Sequence, residues 1–342
     1  MSGGSEGRET GCRIEEVLVN DVPMLRLEND SIRITVCVLH GAHIIELLDK
    51  RTGIDLLYKD PRGPLRYDVG GWYELFPNAG KACGYNGRTI PKHGDIQHRR
   101  WDYKIVEHTS SRIKVSMWTE SGVLPFRLER TIGMTSHSGS LYLHECVTNI
   151  GQERLPYLWG HHVTFGGAFL DGRCTIQLPA CRVFKREEYD SSTSRLHPSA
   201  AGTLAAMPGR TEGTVDLTAF PTGPCSEMVF ADGMKEHWCS VYNERLETGI
   251  GLSWDGEAFP YVWLWMESRG EQAAPYNGRV RGMALEPQSS AVPVLERAIA
   301  DDAAMWLEAG ASKKAWLTAV VHRYDGMVDR VTKEGEVLWK PS

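Results

Sequence analysis

Near its C-terminal end the chain reads Arg281-Gly282-Met283-Ala284-Leu285-Glu286-Pro287-Gln288. Glu286 closes an apolar, strand-like run that a proline stops at once. A carboxylate in that setting is desolvated, so its pKa rises and it becomes a usable base near neutral pH. Two distant segments give it company: Lys92-His93-Gly94, and Trp159-Gly160-His161-His162-Val163-Thr164-Phe165. Together they supply an acid and a base from separate parts of the chain, as a proton-shuttling site requires. The tripeptide Leu285-Glu286-Pro287 alone does not separate a base from an ion-pair partner of Arg279 or Arg281.

Adjacent residues on a strand point to opposite faces, so His161 and His162 do different jobs. One faces a concave surface, the other the core or a neighbouring strand. Histidine is the natural general acid near pH 7. Immediate neighbours on a strand do not converge on one metal ion, and the chain has no H-x-H or H-E-x-x-H pattern, so no metal is expected. The run Gly71–Gly80, followed by Pro91–Ile96 and Trp101, interleaves aromatics with Asn, His and Asp. Such mixtures suit sugars, because rings stack on pyranose C–H faces while polar groups read hydroxyls. Gly94 beside His93 would let the backbone come close to a ligand. Glu74 and Glu267 stand beside Trp72, Trp263 and Trp265 and are candidate hydroxyl ligands, although a structural role is the plainer reading. Phosphate-binding glycine loops and a G-x-S-x-G elbow are absent. Paired carboxylates for glycoside hydrolysis stay open at this level.

The elements that must position these groups read as strands. Ser31–Val38, Arg112–Met117 and Ser140–Val147 alternate apolar and polar residues at period two, and turn residues recur between such runs. Many short strands with few helical patterns indicate a β-sandwich or barrel. Tyr189–Gly213 reads as a long surface loop, Val294–Leu307 as a helix and Ala315–Val321 as a last buried strand. Residues 1–12 are expected to form a disordered tail, and 13–342 a single domain. The 342 residues are 42% hydrophobic, enough for a large core, with a net charge of -6 and no basic patch for nucleic acid. No apolar run suits a membrane span or a secretory signal. The eight cysteines form no C-x-x-C pair and read as reduced thiols of a cytoplasmic protein.

Taken in order, these segments resemble the aldose 1-epimerase (galactose mutarotase-like) superfamily from about Ile32 to Val321. Asn78, Arg88 and His93-Gly94 are similar to its loop and His-Gly, and His162-Val163-Thr164-Phe165 to its His-Pro-Tyr-Phe. Glu286-Pro287-Gln288 matches its late Glu-Pro motif, and Leu307-Glu308-Ala309-Gly310 its Leu-x-x-Gly. Gln97 stands where the family commonly has an arginine. The resemblance implies an all-β fold, a large antiparallel β-sandwich with few short helices and a concave sugar-binding face. It implies interconversion of α and β anomers of a free monosaccharide by ring opening, without metal or nucleotide cofactor. Glu286 would be the base and His162 the acid. His93, Asn78, Arg88, His161, Glu267 and Gln288 would be substrate ligands. A non-catalytic carbohydrate-binding protein on the same fold is the alternative. The expected partner is a monosaccharide, and the expected assembly a monomer or homodimer.

Overall fold

Alternation along the chain builds one sheet directly. In the strand Phe126–Thr135 every second side chain is buried, and Arg112–Glu120 follows a similar pattern. The computed structural model, which describes residues 11–62, 70–323 and 325–341, places both in an eight-stranded antiparallel sheet. A twelve-stranded sheet packs against it. The centre of this larger sheet runs Trp72–Leu75, Gly160–Gly166, Arg281–Gln288, Tyr261–Ser268, Cys225–Asp232. One apolar cluster joins Ile34, Trp72, Val163 and Leu285 of the larger sheet to Val115, Leu128, Leu143 and Leu317 of the smaller. The architecture is an antiparallel β-sandwich.

The central strands of the larger sheet lose the half-buried pattern. Every residue of Gly160–Gly166 is buried, since one face meets the other sheet and loops cover the second. That covered outer face holds polar residues as well as apolar ones, so periodicity alone does not identify these strands.

Two local expectations change. The helix is only Leu295–Ala300, and Met305–Leu307 pairs as a strand with Leu155–Tyr157. Asp302 at a φ of 54° turns the chain, and the Ala303 and Ala304 amides close back on the Ala298 carbonyl. The loop after Tyr189 carries short pairings, Ala201–Gly202 with Val183-Phe184 and Met207–Pro208 with Thr214–Val215. Of the expected N-terminal tail, residues 1–10 lie outside the described residues, while the buried Cys12 donates its amide to the Ser110 carbonyl. Among the described residues no helix is long and apolar enough to cross a membrane, and all eight cysteines are free.

Candidate functional site

Strand register assembles the site on one rung of the larger sheet. Tyr73 pairs with His162. The pairing of Val163 with Leu285 sets His162 opposite Glu286. Glu286 pairs with Trp263, and Trp263 with Phe230. Side chains alternate, so all five point to the outer face. His162 Nε2 stands 3.6 Å from Glu286 Oε1. The Tyr73 ring stacks on His162 at 4.8 Å between centroids and 9° between planes, and His43 stacks on Tyr73 at 4.7 Å. Thr164 Oγ1 lies 2.8 Å from His162 Nδ1, and Gln288 Nε2 donates to Glu286 Oε2 at 3.2 Å. Gln288 needs Gly160 across the ladder, since a Cβ there would lie 1.9 Å from its Oε1.

A loop closes over one end of this rung. Asn78 Nδ2 donates to the carbonyls of Gly80, Lys81 and Pro91, and its Oδ1 accepts from the Leu295 amide. Both ends of its amide are therefore spent on the backbone. The shaped loop turns at His93, whose φ is 62°, and brings that ring within 5.9 Å of His162. Gly94 has a φ of +74°, and a Cβ on it would fall 1.8 Å from the Phe76 carbonyl oxygen. The close approach that this glycine permits is thus to the Phe76 backbone, not to a ligand.

His162, His93, Lys92 and Glu286 line a cavity of about 460 Å³ together with Trp263, Trp265, Met228, Tyr189, Glu271 and Tyr276. That size suits a small organic ligand. Burial pushes the Glu286 carboxyl up to about 8, with Gln288 and Lys92 opposing it only in part. Burial, then the nearby Lys92 charge, holds His162 down at about 3. The same causes keep His93 well below the usual imidazole range. Between about 3 and 8 the pair therefore holds one proton, on the carboxyl. The 3.6 Å separation is longer than a hydrogen bond, so neither group is tied to the other and each can meet a substrate oxygen placed beside the pair.

The remaining expected ligands lie elsewhere. His161 faces the sandwich interior. Its Nδ1 accepts from the Trp72 indole, which fixes the hydrogen on Nε2, and that atom is 2.8 Å from Glu145 Oε2. Arg130, reaching across from the other sheet, pairs with Glu145 at 2.7 Å and with Glu74 at 2.8 Å. Glu74, Glu145 and His161 are close enough together for a metal site, but the guanidinium already stands between the carboxylates as their cation. Arg88 sits on the exposed hairpin Cys83–Tyr85 and Arg88–Ile90, bonded to the Val123 carbonyl. Glu267 is on the site's face but fully buried, and its Oε1 accepts from the Gly270 and Glu271 amides. It anchors the loop that carries Glu271 and Tyr276.

Sequence reasoning assigned no role to Tyr73, Lys92, Trp263 or Trp265, although each lies in or beside a segment it singled out. The available signal was alternation: Trp263, Trp265 and Glu267 share a parity, and so do His162 and Thr164.

The sandwich as a whole is similar to several solved structures. A Klebsiella pneumoniae protein provisionally named an aldose 1-epimerase superposes with a TM-score of 0.69 at 14% identity, over 91% of this chain and 83% of that one. A galactose mutarotase-like protein from Clostridium acetobutylicum gives 0.66 at 14% identity over 92% and 99%. The Slr1438 protein of Synechocystis gives 0.66 at 19% identity over 95% and 100%. The fold is the one that these solved structures share. The family described as Domain of unknown function (DUF4432) matches residues 76–321, and the chain belongs to that family.

Proposed function

We propose that the protein interconverts the α and β anomers of a free aldose. The carrying observation is the His162–Glu286 pair, 3.6 Å apart on the wall of a cavity. Burial favours the protonated carboxyl of Glu286 and the neutral imidazole of His162, which reverses the starting roles implied by the family resemblance. Glu286 gives its proton to the ring oxygen while His162 takes the proton of the O1 hydroxyl, and the ring opens to the aldehyde. After rotation about C1–C2, the ring oxygen returns its proton to Glu286 and His162 re-protonates O1 on the other face. The cycle balances without a co-reactant, and each group contributes on the order of 10²–10⁴-fold. His93 and Lys92 contact hydroxyls from the loop side, and Trp263 offers its ring to the sugar's C–H face. Eight free thiols suit a cytoplasmic enzyme.

The test is anomer exchange on a sugar panel, followed by NMR, with wild type, Glu286→Gln and His162→Asn. Acceleration by wild type and its loss in both variants is expected. A wild type that accelerates no sugar overturns the activity. Variants that keep the wild-type rate overturn the assigned pair.

A further inference from the structure

We infer that the substrate is a reducing disaccharide, whose second, uncharged ring sits against Trp265 and Tyr276. This deepens the anomer-exchange reading and rests on it. His162 and Glu286 lie between the loop that carries Lys92 and His93 and the strands that carry Trp265 and Met228. From Glu286 the lining continues over Trp263 and Trp265 to Ser226 and Met228, two strands further on. Two strand spacings are about 10 Å, room for a second sugar ring beyond the one being opened.

The surface over this extension is built for a carbohydrate face. In the strand Tyr261–Ser268, Trp265 is the one residue of Val262–Ser268 that is not fully buried. Its ring stands 6.2 Å from His162 and 6.0 Å from Tyr276. The neighbouring rung positions Ala284 and Thr164 are small and leave the indole uncovered. Ser226 and Met228 are likewise half-exposed on an otherwise mostly buried strand. No unpaired cation among the described lining residues at this end calls for an acidic extension. Glu271 borders this end, as does Asp190, whose carboxylate is already paired with Lys185 and Arg210, whereas Lys81 and Lys92 belong to the loop beside the reacting pair. Aromatic faces flanked by carboxylate and hydroxyl acceptors fit a neutral polyol ring. The wall is a fixed part of the fold, because Glu267 holds the Gly270 and Glu271 amides at 2.5 and 3.0 Å.

The experiment compares anomer exchange of cellobiose, maltose and lactose with that of glucose and galactose. At least one disaccharide should show kcat/KM roughly ten-fold above both monosaccharides, the scale of one stacked ring. Tyr276→Ala should lower that value about ten-fold more than it lowers those of glucose and galactose, while Tyr276→Phe keeps the preference. Equal values for both sugar classes, or equal losses in both, would overturn the inference. If no sugar is turned over, the anomer-exchange reading fails and calorimetry with the same five sugars decides this one. Tighter disaccharide binding, lost in Tyr276→Ala, upholds it, and its absence ends it.

Discussion

Replacing Glu286 by glutamine keeps the side chain's shape and removes its ionisation, so it isolates what the buried carboxyl does to stability. In the fold, burial holds the group at about 8 against an ordinary 4.5. A raised pKa means that the folded state grips the proton more tightly than the unfolded chain. The contribution is complete below 4.5 and is lost as pH rises through about 8. At about 1.4 kcal/mol per pH unit, that interval amounts to about 5 kcal/mol. His162 has the opposite sign. Held at about 3 against an ordinary 6.5, it adds stability as pH rises across that range, and loses it as pH falls through about 3. The two slopes oppose each other between 4.5 and 6.5 and leave the carboxyl unopposed above. Urea denaturation of wild type and Glu286→Gln at pH 4.5, 7 and 9 should therefore show a stability difference that moves in the variant's favour. The change should be about 3 kcal/mol by pH 7 and about 5 kcal/mol by pH 9. A difference that stays constant with pH would refute a buried, proton-holding carboxyl at this position.

Three further outcomes follow from the same geometry. In wild type, kcat/KM for anomer exchange should fall as pH rises through about 8, where the pair loses its single proton; a profile flat to pH 10 would exclude that proton. Gly94→Ala should destabilise the protein by about 3 kcal/mol or more and lower turnover, because its Cβ overlaps the Phe76 carbonyl and displaces His93; denaturation midpoints and NMR exchange measure both. Arg130→Met should cost about 3–5 kcal/mol, since it strands two buried carboxylates, and adding Glu74→Gln should restore part of the loss in the same denaturation assay.

Local chemistry made part of this site legible in the sequence. A carboxylate pinned between an apolar run and a proline announces Glu286, and two neighbouring histidines must divide between faces. Strand pairing was not legible. Tyr73 reaches His162 from 89 residues away, and nothing near either residue states that register. Asn78, Arg88 and Glu267 look like sugar ligands because their side chains can bond hydroxyls. Backbone groups claim them first: three carbonyls and an amide for Asn78, a carbonyl for Arg88 and two amides for Glu267. Sequence lists donors and acceptors, but only the fold shows which are already spent.

The division of labour between His161 and His162 explains how a pair with no direct hydrogen bond keeps its spacing. His161 is fixed by the Trp72 indole and Glu145 beneath the sheet, and Arg130 ties that carboxylate to Glu74 and to the Ala42 carbonyl. The next peptide along carries His162, so the ion network sets its height. Tyr73, beside Glu74, sets its tilt by stacking. On the facing strand Gln288 orients Glu286 in space opened by Gly160. Each reactive group is thus held by its own neighbours and not by the other. A directly bonded pair would have to break that bond before either group could meet a third oxygen. Here neither His162 Nε2 nor Glu286 Oε1 is bonded to the other, and their positions are set instead by the buried network behind the sheet and by Gln288.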